Sequence, residues 1–182
     1  MASPSYAVLT ALGPDRPGLV AETTHFLTDR GLNVEDSRMA VLGGEFGIMM
    51  LVSGTPEELA RVEKEAGELG ARANLAVLIR RTKSPEEHRR AAAVPCLVVA
   101  EALDHEGIVR AIASALHEVG VNIVSLDTSA YEAPVTGSPL FRLEARVDVP
   151  PGLTVARVRA AMARVADVEN LDIDVRSLVA RH

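Results

Sequence analysis

Six residues of this chain recur in the same order and spacing, with 89 residues separating each from its counterpart. The first set is Asp15, Gly18, Val20, Leu27, Gly31 and Asn33, and the second is Asp104, Gly107, Val109, Leu116, Gly120 and Asn122. An internal period sets the number of domains before any fold is considered, and two copies are too few for a solenoid. We therefore expect two copies of one small domain.

The length of the chain agrees with two small units. At 182 residues it has room for two domains of roughly 80 to 90 residues, a size at which a single hydrophobic core is marginal. We predict a first domain at residues 1–81, a linker at 82–93 and a second domain at 94–182. The linker is polar, and we assign to it the basic clusters at residues 80–83 and 89–90.

Composition excludes several classes of protein. The net charge of -6 and the pI near 5.4 argue against direct nucleic-acid binding, which begins with a concentrated basic surface. The single cysteine, Cys96, lies within an apolar run, so it supports neither a disulfide framework nor a metal site with several thiolates. No signal-peptide pattern and no apolar run of about 18 residues is present. We expect a cytoplasmic protein without a membrane, metal or other cofactor.

Hydrophobic periodicity predicts the same series of elements in each half. In the first half a strand at residues 6–12 precedes a helix that buries Leu19, Thr23, Phe26 and Leu27 and stops at Gly31. A hairpin turns at residues 43–44, a second helix runs from a Thr55 cap to Gly70, and a strand at residues 75–79 closes the unit.

The second half repeats this order, with about six residues inserted at its hairpin tip in Tyr131–Pro139. That insert is a lid, a partner contact or a spacer. The predicted fold class is α+β, with two ferredoxin-like βαββαβ domains whose antiparallel sheets carry both helices on one face.

The turn at residues 13–18 is the first candidate for chemistry. Asp15 is expected to cap the following helix, and Gly18 leaves backbone N–H groups exposed at the positive helix end, where they suit a small anion. The amide of Asn33 is expected at the sheet edge. The alternative is purely structural: Asp15 caps, Gly18 allows close packing, and Asn33 tolerates a left-handed turn. The residues alone leave both interpretations open.

The run Asp15-Arg16-Pro17-Gly18-Leu19-Val20, followed by Gly31-Leu32-Asn33-Val34, resembles the signature of ACT domains, which are small amino-acid-sensing regulatory modules. Residues 104–123 are a weaker match. Two such units with little else are similar to the glycine cleavage system transcriptional repressor family. This resemblance covers nearly all of residues 5–177.

The resemblance implies that an amino acid binds where two ACT units meet, between the loop of one unit and the Asn turn of the other. It nominates Asp15, Arg16, Pro17, Gly18 and Leu19 with Asn122 and Ile123 for one site, and Asp104, His105, Gly107 and Ile108 with Asn33 and Val34 for the other. We expect the first loop to be the stronger site, because Glu106 in the second competes with a ligand carboxylate for the helix dipole.

We therefore predict a non-enzymatic regulatory protein that senses a small amino acid, with glycine or serine as candidates, and acts on a partner protein as a homodimer. The sequence carries no nucleophile elbow and no phosphate-binding Gly-Lys loop. An acylphosphatase-like hydrolase on the same fold is the alternative, since Arg16 and Asn33 fit it superficially, but Asp15 would repel a phosphate dianion. Which amino acid binds, whether the units pair within or between chains, and which partner responds stay open.

Overall fold

A computed structural model of the chain describes residues 4–87, 93–132 and 137–178. The chain divides into two compact units, Met1–Arg89 and Arg90–His182. Residues 88–92 of the predicted linker, with the basic pair Arg89-Arg90, and residues 133–136 of the predicted insert lie outside the described residues. Within the described part, no helix is long and apolar enough to cross a membrane.

The first unit has the predicted element order. Its elements are β1 (Ser5–Pro14), α1 (Leu19–Thr28), β2 (Asn33–Leu42), β3 (Glu45–Gly54), α2 (Pro56–Ala73) and β4 (Ala76–Thr82). All strand pairs are antiparallel, and the sheet order is β2-β3-β1-β4, so that β2 and β4 form its edges.

The second unit repeats this topology. Its elements are β5 (Val94–Leu103), α3 (Ile108–Glu118), β6 (Asn122–Glu132), β7 (Pro139–Val149), α4 (Val155–Glu169) and β8 (Asp172–Ser177). The sheet order is β6-β7-β5-β8, again antiparallel throughout. The prediction of two ferredoxin-like βαββαβ domains is therefore confirmed.

Each unit has its own aliphatic core between one sheet face and the two helices. In the first unit Leu9 and Met50 of the sheet are fully buried with Leu27 of α1 and Leu59 of α2. In the second unit Val98 and Leu143 pack with Leu116 and Val158 in the same way. Since side chains alternate along a strand, the intervening strand residues form an outer sheet face that the helices leave open.

The first unit differs from the predictions at three boundaries. The helix α1 ends at Thr28, three residues before the left-handed Gly31. The helix α2 does not end at Gly70 but continues to Ala73, where Asn74 adopts the left-handed conformation at φ 55°. Burial of Leu69 and Ala73 on one helix face outweighs the roughly 1 kcal/mol that a helical Gly costs. The strand β4 reaches Thr82, so Arg80 and Arg81 belong to the sheet rather than to the linker, and Arg81 pairs with Glu63 at 2.5 Å.

One irregularity occurs at the same place in both sheets. The register between β2 and β3 shifts between Val34 and Asp36, and the register between β6 and β7 shifts between Ile123 and Ser125. The extra residues of these two bulges are Glu35 and Val124, which are counterparts in the repeat. A bulge re-aims neighbouring side chains, here beside the two repeated Asn residues.

Candidate functional site

The first candidate loop joins β1 to α1, and Gly18 is the cap residue immediately before the helix. Gly18 has φ 96°, and no side chain, including that of Asp15, makes a capping hydrogen bond to the start of α1. The expectation that Asp15 caps α1 is therefore wrong. The Asp15 backbone N–H instead donates to the Gly44 carbonyl at 2.9 Å, which fixes the loop to the hairpin tip. The first backbone N–H groups of α1 therefore have no side-chain cap and lie at the positive end of the helix dipole.

Arg16 lies across the start of α1 and is already engaged. Its Nη1 and Nη2 donate to the two carboxylate oxygens of Glu22 at 2.7 and 2.8 Å. This bidentate pair lowers the pKa of Glu22 and raises that of Arg16, in both cases chiefly through the side-chain hydrogen bonds. A ligand carboxylate at this loop would have to compete with Glu22 for the Arg16 guanidinium.

The neighbouring predicted residues contribute mainly backbone. Leu19 and Ile108 are buried, at 1% and 2% exposure, so their side chains belong to the two cores and only their N–H groups can face a ligand. Pro17 is exposed in its loop, and Val34 and Ile123 are half-buried at the starts of the edge strands.

The second loop, between β5 and α3, repeats the backbone of the first. Gly107 begins α3 at φ 96° without a side-chain cap, and the Asp104 N–H donates to the Pro139 carbonyl at 3.0 Å. His105 takes the position of Arg16. Its ring nitrogens lie 3.1 Å from the Glu106 carbonyl and 3.2 Å from the Glu169 carbonyl, so it ties the loop to the end of α4.

Sequence reasoning missed Arg110, which brings a cation to this second loop. A Cβ placed on Gly107 would lie 3.7 Å from Arg110 Nη2. The first turn of α3 holds no acidic residue, in contrast to Glu22 in α1. The available signal was an Arg three residues after the repeated Gly, where the first copy has Ala21.

The two Asn residues begin the edge strands, as expected. Asn33 Nδ2 donates to Glu35 Oε1 at 2.9 Å, and the same oxygen accepts from Ser53 Oγ at 2.5 Å. These bonds lower the pKa of Glu35, with the Ser53 bond as the larger cause. Asn122 Nδ2 donates to the Ile123 carbonyl at 3.0 Å. Asn122 is therefore held by a backbone group, whereas Asn33 is held by a carboxylate.

Within one unit the loop and the Asn lie at opposite ends of the sheet. Asn33 pairs with Ser53, which pairs with Tyr6 near the start of β1, whereas the loop follows Pro14 at its end. At about 3.3 Å per residue, Tyr6 and Pro14 are about 26 Å apart. The structure thus brings Asp15 to Leu19 together in one cluster and Asp104 to Ile108 in another, but it brings neither cluster to the Asn of its own unit.

The described residues hold no group of three or more His, Cys, Asp or Glu side chains that could bind a metal ion. Cys96 is buried with a free thiol, and burial raises its pKa.

Comparison with known proteins places the chain in a family. Residues 5–79 match the ACT domain. An 82-residue stretch, 45% of this chain, is 42% identical to the glycine cleavage system transcriptional repressor of Escherichia coli and covers 43% of that protein. Residues 5–79 of the chain belong to the ACT-domain family.

The chain is also similar to further proteins and solved structures. A 74-residue stretch covering 37% of this chain is 34% identical to a Methanococcus maripaludis protein, UPF0237 protein MMP0657, over 82% of that protein's length. The crystal structure of an unknown protein from Galdieria sulphuraria is 32% identical, covers 97% of this chain and 100% of its own, and has a TM-score of 0.82. A candidate glycine cleavage system transcriptional repressor, 24% identical with a TM-score of 0.74, covers 98% of this chain and 100% of its own.

The match to the Escherichia coli repressor spans less than half of that protein's length. The comparisons therefore support a regulatory ACT protein that resembles the repressor family.

Proposed function

We propose that this chain is a non-enzymatic regulatory protein that binds a small amino acid between two ACT units and signals to a partner protein. The observation that carries the proposal is the repeated helix start: Gly18 and Gly107 both stand at φ 96° and neither helix has a side-chain cap. Such a helix end presents backbone N–H groups and a positive dipole to a carboxylate.

The ligand is proposed to bridge two units, either of one chain or of a homodimer. A small amino acid cannot span the roughly 26 Å between the loop and the Asn of one unit. A site with both parts therefore needs the loop of one unit and the Asn of another. In this proposal Asp15 to Leu19 act with Asn122 and Ile123, and Asp104 to Ile108 act with Asn33 and Val34.

The two loops are not equivalent in this proposal. The sequence favoured the first loop, but there the Arg16 guanidinium is engaged by Glu22. The second loop contains Glu106, but it also has Arg110 near Gly107 and no acid in the first helical turn, whereas Glu22 in α1 binds Arg16 of the first loop directly. We therefore assign the carboxylate of the tighter-bound ligand to the second loop, with Asn33 of another unit as its polar partner.

Signalling is proposed to act on a partner protein rather than directly on DNA. The Escherichia coli relative is a transcriptional repressor, but this chain has a net charge of -6, which disfavours a surface that binds DNA phosphates. A bound amino acid would change the output only through different affinities for two arrangements of the ACT interface.

Isothermal titration calorimetry against a panel of amino acids that includes glycine and serine tests the proposal. We expect one amino acid to bind, and Arg110→Ala to weaken it by about tenfold or more, because a charge-assisted hydrogen bond to the carboxylate is lost. Arg16→Ala should have a smaller effect. Arg61→Ala, on the exposed face of α2, is the matched control and should bind like the wild type.

The Asn residues give the second half of the test. Asn33→Ala should weaken binding together with Arg110→Ala, whereas Asn122→Ala should affect only a site at the first loop. Absence of heat with every amino acid, from protein that gives a folded NMR spectrum, would refute amino-acid sensing. Binding that survives Arg110→Ala, Arg16→Ala and both Asn substitutions would refute the assigned site.

A further inference from the structure

The space between the two helices of the first unit is filled by one aromatic ring and one cation. Phe26 of α1 is 1% exposed, and the Arg30 guanidinium carbon lies 3.7 Å from the centre of its ring. Arg30 also donates to Glu65 at 2.7 Å and to Glu68 at 3.2 Å, both on α2. A ring, a stacked cation and two carboxylates thus close the seam between α1 and α2.

The second unit leaves the corresponding space open. The residues 89 positions after Phe26 and Arg30 are Ala115 and Val119, which have neither the ring nor the cation. A groove of about 250 Å³ lies between α3 and α4, with Ala115, Val165 and Val168 among its lining residues. Val168 is 80% exposed, the largest exposure among the large apolar residues of the described chain. A 150 Å³ apolar cavity accommodates benzene, so this groove has room for an aromatic side chain.

The charges at the groove favour an occupant that carries a basic residue beside its aromatic side chain. Glu118 and Glu169 line the groove and are the last residues of α3 and α4, where the helix dipole is negative. Neither carboxylate forms an ion pair with any described residue. The one cation of the lining, Arg164, donates to the Ala160 carbonyl of its own helix at 3.3 Å.

A second copy of this chain offers, among the described residues, no exposed aromatic side chain with a basic residue next to it. Of its five aromatic residues, Phe26 is buried, and Tyr6, Phe46 and Phe141 are half-buried. Tyr131 is the exposed one, at 40%, and it is followed by the acidic Glu132.

We propose that the groove between α3 and α4 is a docking site for a segment of a partner protein that inserts an aromatic side chain with a basic residue beside it. The occupant would restore in the second unit what Phe26 and Arg30 supply in the first. This inference does not depend on amino-acid binding. The contact of Glu169 with His105 would place the occupant next to the second candidate loop.

The test uses a defined peptide and the full chain. An acetylated, amidated, alanine-based helical peptide carries one Phe and one Arg four residues later, at the spacing of Phe26 and Arg30. Methyl NMR is expected to show saturable shifts at Ala115, Val165 and Val168. Peptides with Phe→Ala or Arg→Glu should bind about tenfold more weakly, because one loses the buried ring and the other reverses the charge.

Variants of the chain separate the groove from other apolar surfaces. Ala115→Phe fills the groove with the residue of the first unit, and Val168→Asp adds a charge at its exposed rim without touching the core. Both should abolish the shifts, while Leu42→Asp, at a site 76% exposed in the first unit, should leave them unchanged. Glu118→Lys combined with Glu169→Lys should weaken binding of the Arg peptide and strengthen that of the Glu peptide.

Three results would overturn the proposal. The first is the absence of shifts at about 1 mM peptide, a concentration that half-saturates a site with a Kd of about 1 mM. The second is shifts that persist in both groove variants. The third is self-association of the chain, measured by sedimentation, that Val168→Asp abolishes, because the occupant would then be a second copy.

Discussion

The two units of this chain have the same backbone and different side chains on it. Both helix starts have a Gly at φ 96°, both loops donate an Asp N–H to the hairpin, and both edge strands have a bulge after the Asn. The outer sheet faces differ most. Leu12, Met49 and Leu78 of the first unit are 50% to 65% exposed, and their counterparts in the second are Glu101, Glu144 and Asp174.

The second outer face replaces apolar surface with ion pairs. Arg142 pairs with Glu144 and with Glu101, which raises the pKa of Arg142 chiefly through the hydrogen bond to Glu144, and Arg176 pairs with Asp174. Because the fold tolerates either face, it requires neither. What the two copies share is therefore what the fold or a common ligand needs, and what they do not share marks surfaces free to serve different partners.

The largest expected effect concerns the helix seam. Phe26→Ala should destabilise the first unit by about 3–5 kcal/mol, because it removes a buried ring and the support of the Arg30 guanidinium. Hydrogen exchange of the β1 amides compared with the β5 amides would locate the loss. Ala115→Ser, at the counterpart position, should cost less than about 1 kcal/mol. Equal losses of stability in Phe26→Ala and Ala115→Ser would mean that both units depend on this helix position to the same extent. That result would contradict the difference that we infer between the two helix seams.

The helix-start glycines test what the copies share. Gly18→Ala and Gly107→Ala should each cost about 1–2 kcal/mol, because an L-residue at φ 96° is strained while the nearest atoms leave ordinary contact distances of 3.6 and 3.7 Å. Thermal unfolding of each variant measures this. Gly67→Ala, within α2 and with open space around it, is the control and should stabilise by about 0.5–1 kcal/mol. Clearly unequal costs at Gly18 and Gly107 would break the equivalence of the two loops.

A smaller effect is expected where a buried position differs. Thr23 is fully buried and its Oγ1 has no described hydrogen-bond partner, whereas the second unit has Ile112 at this position. Thr23→Val should stabilise the first unit by about 1 kcal/mol, because a buried unsatisfied hydroxyl is replaced by a methyl group of similar size. Thr24→Val is the matched control, since the Thr24 hydroxyl donates to the Val20 carbonyl at 2.8 Å. Urea denaturation should show no gain for the control, and a loss for Thr23→Val would reveal a bond that this hydroxyl makes.

The sequence predicted the fold well because the repeat and the hydrophobic periods are local signals that both copies give independently. The helix boundaries were less accurate: Gly70 looked like a stop, but tertiary burial of Leu69 and Ala73 carried α2 past it. Asn74 and Asn170 are the left-handed residues that end α2 and α4, and neither was recognised.

The site was less predictable, because its electrostatics depend on side-chain directions. Arg16 lies in the loop and Glu22 lies six residues later in α1. The spacing of three or four residues that predicts ion pairs within a helix therefore does not predict this pair. The contact of His105 with Glu169 joins residues 64 positions apart. The pairing of loops and Asn residues from different units has no local signal at all, which is why it stays a proposal.

The smallest expected effect concerns the bulge. Its extra residue is Glu35 in the first unit, and the equivalent residue of the repeat in the second unit is Val124. The hydrogen bonds from Ser53 and Asn33 lower the pKa of Glu35 in the folded state below its value in the unfolded chain. A carboxylate of this kind contributes stability above its unfolded pKa of about 4.3, and the contribution is lost as the pH falls through the lower folded pKa. The first unit should therefore lose stability below about pH 4 through the protonation of Glu35, a residue that the second unit replaces with Val124.

Glu35→Gln should make the free energy of unfolding less dependent on pH when unfolding is followed from pH 7 to pH 3. The change should be small because the carboxylate is exposed to solvent. Glu45→Gln, at the exposed start of β3, is the control and should leave the profile unchanged. If Glu35→Gln and Glu45→Gln changed the profile equally, Glu35 would make no specific contribution to stability. The bulge of the first unit would then affect only the backbone geometry, as in the second unit.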